Sequence, residues 1–235
     1  MSLRSYGVHE APPRISRAGI DDSGILPSFT PNNLSRFIRE GFVSIGVAHA
    51  LVEPGPDPRV MMFEHRKTRL LGLLSENLKE TTDGGIEHPM HASARCFKEE
   101  LCIDDVSKLG LVVARRNGWK EFAALRHRYT EEWLVGVASP LYTDTLSLEQ
   151  ITEQMSTTDE ISGFWPMRLN EIYKLGPDEC RPFALMGLIA LESSGLLLPE
   201  KVGPLVPYNP PTVDYDSIQH DLNFGTVTQV QANIA

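Results

Sequence analysis

The sequence predicts an α/β fold, on three observations. Apolar runs of strand character, VSIGVAHALV (43–52), RVMMFEHR (59–66) and EEWLVGVAS (131–139), are set off by turn residues and polar stretches. A double glycine, Gly84-Gly85, runs into MHASARCFKEELCI, where Ala94, Phe97 and Leu101 stand at i, i+3 and i+7 and supply an apolar stripe at helical spacing. Two later segments, LNEIYKL and PFALMGLIALESSGLL, have helical character, the second ended by Gly195 and Pro199.

Taken in order, residues 1–35 carry APPR, an Asp-Asp-Ser-Gly turn and LPSFTPNN, an irregular N-terminal arm by its Pro and Gly punctuation. From Asn33, NLSRFIREGF predicts a short amphipathic helix leading into the first strand. EPGPDP is a turn, so the first two strands are expected to form a hairpin. LGLLSENLKETTDGG is read as a connection to the glycine loop. KLGLVVARR is read as a strand, WKEFAALRHRYT as a loop or strand pair, SLEQITEQM as a short helix or excursion, and DEISGFWPM as a loop entering a strand. Residues 36–198 make one domain. The tail, 199–235, alternates prolines with aliphatic and aromatic residues and is expected to be an extended arm docking on this domain or on a second subunit, which makes a homodimer an open expectation.

Composition narrows the function classes. A chain of 235 residues with 41% hydrophobic and 23% charged residues and 17 Pro is of ordinary soluble, globular type. No apolar run reaches the roughly 18 residues a membrane helix needs, and MSLRSYGVHE has no signal-peptide h-region, so a cytoplasmic location is expected. The net charge of -9 disfavours nucleic acid as a partner. A local basic patch, Arg115, Arg116, Lys120, Arg126, His127 and Arg128, suits an anionic small substrate or, equally, a solvated turn. Cys96, Cys102 and Cys180 are odd in number and lack zinc spacing, and read as reduced thiols.

The chemistry concentrates after the glycines. Glu99 and Glu100 on the helix, with Glu87 on the loop before it, form an acidic cluster that either solvates as a charged face or gathers a hard cation such as Mg2+, which takes oxygen ligands. His49, inside its strand, is read as a core histidine. His88 and His91 beside the acidic loop are the better candidates for phosphate contact. Trp119, Phe122, Tyr129 and Trp133 are read as core before stacking surface.

These residues resemble the box of the Nudix family, GX5EX7REUXEEXGU with U aliphatic. Glu87, Arg95, Phe97, Glu99, Glu100 and Ile103 stand in that register without a gap, while Thr81, Cys96 and Cys102 depart from it. A second alignment sets Gly84-Gly85-Ile86-Glu87 on the family's Gly-Gly-x-Ile-Glu and brings His91 near the loop glutamate, which leaves the role of Glu87 open. The order of strands, box, a Trp-Pro strand end and a closing helix also agrees, over about residues 42–198.

The resemblance implies an α/β/α sandwich around a mixed β-sheet, with Mg2+ (or Mn2+) as cofactor. It implies hydrolysis of a diphosphate linkage in a nucleoside diphosphate derivative or related organic diphosphate. Carried over by residue, it implies Glu99 and Glu100 as the metal pair, Glu87 and the Gly85 carbonyl near the metal, and Arg95 orienting a box carboxylate. Glu160 and Trp165 fall where a late loop supplies a base or touches substrate, and Arg66 and Arg128 offset phosphate charge. Cys96 stands where the family has a carboxylate, and a thiol is a poor Mg2+ ligand. Either another carboxylate such as Glu160, Glu132 or Glu87 replaces it, or the chain is a Nudix-fold ligand-binding or interaction protein with weak or lost hydrolysis.

Overall fold

The computed structural model describes residues 31–115, 118–126 and 131–224. Helix α1 (Pro31–Arg39) leads into strands β1 (Phe42–Glu53) and β2 (Arg59–His65). Short strands β3 (Leu71–Gly72), β4 (Leu74–Asn77) and β5 (Lys79–Thr81) bring the chain to the glycine loop and helix α2 (Pro89–Leu101). Then come β6 (Leu111–Ala114), β7 (Lys120–Leu125), β8 (Trp133–Thr143), α3 (Leu148–Thr152), β9 (Ile161–Arg168), α4 (Leu169–Ile172) and α5 (Pro182–Ser193). The chain closes with β10 (Leu205–Pro207) and β11 (Ile218–Asp221).

The centre is the parallel pair β1–β8, in register from Ser44 opposite Leu134 to Val52 opposite Tyr142. Every residue of β8 and nearly all of β1 are buried, as strands covered on both faces must be, which is why both read as unbroken apolar runs. Antiparallel neighbours extend the sheet, β6 and β7 on β8, β2 and β4 on β1, β9 on β2, so the sheet is mixed. The expected hairpin forms, with Val52 opposite Val60.

Alternate residues of β2 serve opposite layers. Val60 and Met62 pack with Phe183, Leu185, Leu188 and Leu191 of α5, whereas Met61 and Phe63 pack with Cys96, Phe97 and Leu101 of α2 and with Leu148 and Ile151 of α3. The result is helix, mixed sheet and helix in three layers, the predicted α/β/α arrangement.

Two stretches carry strands beyond those expected. The connection before the glycine loop carries β3, β4 and β5, and β4 lies along β1 with Glu76 opposite Val47. Strands this short, with charged residues in them, lack a readable period. The tail returns to this domain as strands. Val206 of β10 pairs with Val113 of β6, Ile218 of β11 pairs with Thr81 of β5, and the amides of Leu222 and Phe224 bond to the carbonyls of Leu78 and Val43. Tyr208, Leu222 and Phe224 are buried by it. Residues 1–30 of the N-terminal arm lie outside the described residues, as do 225–235. No helix among the described residues is long and apolar enough to cross a membrane.

Candidate active site

The glycine loop is tied by short polar bonds. Asp83 Oδ1 accepts from Thr81 Oγ1 and from the Gly85 amide, Gly84 adopts φ +77°, and the Gly85 carbonyl accepts the Thr81 amide at 3.1 Å. His88 then caps α2, its Nδ1 accepting the Met90 amide at 3.2 Å, and Pro89 opens the helix. At the other end Cys102 takes φ 56°, ψ 34°, with its amide on Lys98 O and that of Ile103 on Phe97 O. The box register expects glycine there, and the left-handed cap geometry is kept with a thiol in glycine's place. Cys102→Gly is therefore expected to stabilise the chain by up to about 1 kcal/mol, seen as a higher urea midpoint at unchanged m-value.

Arg95 is the centre of the buried polar network, with its side chain 0% exposed. Its Nε and Nη2 donate to Glu87 Oε1 and Oε2 at 2.9 and 2.8 Å, a two-pronged bond, and Nη2 also donates to Asn77 O. Nη1 faces Glu76 at 3.1 Å and Glu99 at 3.5 Å without hydrogen-bond alignment. Burial opposes its charge, but Glu87, Glu76 and Glu99 together outweigh that and raise its pKa. Glu87 has both oxygens on Arg95, and the Lys79 amide also bonds its Oε2.

Beside this network lies a cavity of about 400 Å³. Ser75, Glu76 and Asn77 come from β4, His65 from the end of β2, Glu100 from α2, Glu160 from the loop before β9, and Arg181 and Phe183 from the start of α5. Gly46 leaves room for the Phe183 ring, since a Cβ there would fall 2.8 Å from it. Thr158 Oγ1 donates to Glu100 O at 3.0 Å, and the Arg66 amide donates to Glu160 O at 2.7 Å, so the late loop is pinned to α2 and to the end of β2. Glu100 is 4% exposed and its Oε2 has no partner. Burial first, then the Glu76 and Glu160 charges, hold its pKa well above the usual carboxylate range; burial also raises that of Glu76.

The structure divides the sequence-derived set. Glu100 and Glu160 share the cavity wall; Glu87, Gly85, Glu99 and Trp165 are not among its lining residues. Glu99 stands between Arg95 and Tyr215, whose ring lies under Lys98, and Trp165 is 52% exposed on β9. Arg66 Nε donates to Thr158 O. Arg128 lies outside the described residues, with Arg116, His127 and Tyr129, whereas Arg126 lines the cavity.

Cys96 is 1% exposed among Leu51, Phe63 and Leu74, and burial keeps its thiol protonated. His49 is a core residue, bonded through Nε2 to Ser93 Oγ at 2.6 Å and held neutral by burial, its pKa lowered to about 3. Phe122 and Trp133 are also core. Glu76, His65 and Arg181 were not among the sequence candidates. Only Arg181 carries a local signal, as the residue before a helix-opening proline.

The donors lining the cavity, Glu76, Glu100, Glu160, Ser75 and Asn77, are hard oxygens of the type Mg2+ takes, and the unpartnered Glu100 oxygen fits a cation. Among the described residues no three His, Cys, Asp or Glu side chains stand together at metal-holding spacing.

The chain is similar in structure to Nudix hydrolases. Examples are an Ap4A hydrolase from C. elegans (TM-score 0.44, 10% identity, 65% of this chain and 99% of that one) and a MutT NUDIX hydrolase from Burkholderia pseudomallei (0.37, 16%, 63% and 95%). Another is the Nudix hydrolase RenU from M. smegmatis (0.42, 11%, 67% and 91%). No protein-family model and no curated protein matches the chain.

Proposed function

We propose that the chain is a Nudix-type hydrolase that cleaves a diphosphate linkage in a nucleoside diphosphate derivative or related organic diphosphate, with Mg2+ or Mn2+. The observation that carries this reading is the buried, unpartnered carboxylate oxygen of Glu100, set in a cavity with Glu76 and Glu160 and beside the Arg95 network. The Glu76 and Glu160 charges add to burial in making Glu100 costly to ionise, which favours a bound cation beside it. A divalent ion held by Glu100 with Glu76 or Glu160 would polarise a phosphoryl oxygen and acidify a bound water.

The chain's own groups do the rest. Arg95 holds Glu87, Glu76 and Glu99 in place, and so fixes the helix that presents Glu100. Glu160, exposed, lining the cavity and pinned by the Thr158 and Arg66 bonds, is the carboxylate we assign to take a proton from the attacking water, a role the Cys96 thiol in the apolar cluster does not fill.

Formation of the two phosphomonoester products from a panel of organic diphosphates, followed by chromatography, tests this. Turnover is expected with Mg2+ or Mn2+ and not in EDTA, falling roughly 10²–10⁴-fold in Glu160→Gln. The burial of Cys96 favours a second reading, a ligand-binding protein without turnover. No cleavage of any diphosphate, together with no cation binding by calorimetry, would end the first reading, and binding of an uncleaved diphosphate would support the second.

A further inference from the structure

Helix α5 begins at the cavity. Phe183 and Ala184 line it and precede the first intrahelical bond, Leu185 amide to Arg181 carbonyl, so the positive end of the helix macrodipole faces that space. Arg181, the residue before the helix, also lines the cavity, and its side chain makes no cap bond. It forms none of the close ion pairs found among the described residues; Glu100 and Glu160 act on it only at longer range. Burial lowers its pKa, the mark of a cation lacking a close partner.

His65 stands next to it. It is 5% exposed and its Nε2 has no partner. At Gly72 a Cβ would fall 2.9 Å from His65 Nε2 and 3.4 Å from Arg181 Cδ, so that glycine leaves room for both side chains on one wall. Burial, then the Arg181 charge, keeps His65 neutral, its pKa lowered to about 3, so in the tautomer with its proton on Nε2 the free nitrogen donates a hydrogen bond and adds no charge.

We propose that Arg181, His65 and the first turn of α5 form an anion site that holds the phosphate oxygens of a phosphate or diphosphate ligand, in the same cavity as Glu76, Glu100 and Glu160. A guanidinium, a neutral imidazole nitrogen and free helix amides are complementary to phosphate oxygens. Glu76, Glu100 and Glu160 line the same cavity, with Arg126 and the neutral Thr68, Ser75 and Asn77, so the space carries both signs of charge. The choice of phosphate rests on the hydrolase reading above; the anion site itself requires neither cation nor turnover.

Calorimetry with inorganic pyrophosphate in EDTA tests it on the full chain. The wild type is expected to bind, Glu100→Gln to bind more tightly because a repelling carboxylate is gone, and Arg181→Met to bind at least about tenfold more weakly at an unchanged melting temperature. Arg181→Lys, which keeps the charge and loses the planar fork, is expected to fall between. Should Arg181→Met fail to fold, labelling of wild-type arginines by phenylglyoxal replaces it, with pyrophosphate expected to protect the peptide that contains Arg181. Equal binding by folded Arg181→Met, no binding by either wild type or Glu100→Gln, or unprotected Arg181 would overturn the site. A chain that binds pyrophosphate through Arg181 and hydrolyses nothing keeps this site and loses the hydrolase reading. One that hydrolyses diphosphates while Arg181→Met binds and turns over as the wild type loses this site alone.

Discussion

Arg95→Met is expected to destabilise the chain by about 3–5 kcal/mol, because it leaves the buried Glu87 carboxylate, 3% exposed, without its two-pronged partner and frees Glu76 and Glu99 to repel one another. The cost arises from the charge left behind more than from the bond lost, so the double change Arg95→Met with Glu87→Gln should recover a large part of it. Arg95→Lys should recover little, since an ammonium does not reproduce the paired Nε and Nη2 bonds and the Asn77 carbonyl contact together. Urea unfolding followed by circular dichroism reads all three. A single mutant as stable as the wild type would mean that the network is ornamental to the fold, and the role given to Arg95 in fixing α2 would be lost with it.

That network also shows which parts of the site a linear reading reaches. Glu87, Arg95 and Glu99 lie in one short stretch, and their spacing alone sets them in one register. β1 and β8 were legible because burial on both faces leaves an unbroken apolar run. β4 was not, since Leu74–Asn77 has only Leu74 fully buried and owes its strand geometry to β1 alongside it. The same holds for β10 and β11, whose Pro-rich surroundings read as an arm and whose ladders are supplied by β6 and β5.

Glu76, His65 and Arg181 meet Glu100 from β4, β2 and the start of α5, and no local spacing encodes a meeting of that kind. For Cys96 the helical period was sound and the environment was missing. Cys96 and Glu100 are four residues apart and both inward, but the thiol meets Leu51, Phe63 and Leu74, while Glu100 reaches the cavity. Glu99, one position earlier, turns outward to Tyr215.

Glu100→Gln is expected to move stability and activity in opposite directions. In the absence of divalent cations the Glu100 pKa is raised above its ordinary value of 4.5, chiefly by burial, so the folded chain binds this proton more tightly than the unfolded one. The sign follows from linkage: the group's contribution is fully present below its ordinary value and is lost as pH rises from there through the raised value, at about 1.4 kcal/mol per pH unit across that window. Glutamine keeps the shape and cannot ionise. The variant should therefore match the wild type near pH 4, exceed it at neutral pH, and show a flatter stability profile between them. Mg2+ or Mn2+ should raise the wild-type melting temperature at neutral pH and leave the variant's nearly unchanged, because a ligand stabilises only the form that binds it. Diphosphate turnover should fall by about 10²-fold or more in the same variant. Parallel pH profiles for the two proteins would remove Glu100 as the ionising group in the cavity, and cation-dependent turnover surviving in Glu100→Gln would remove it as the residue that holds the cation. A carboxylate found to cost stability when it ionises, and to recover it only with a cation bound, would be one that the chemistry needs charged and the fold alone does not.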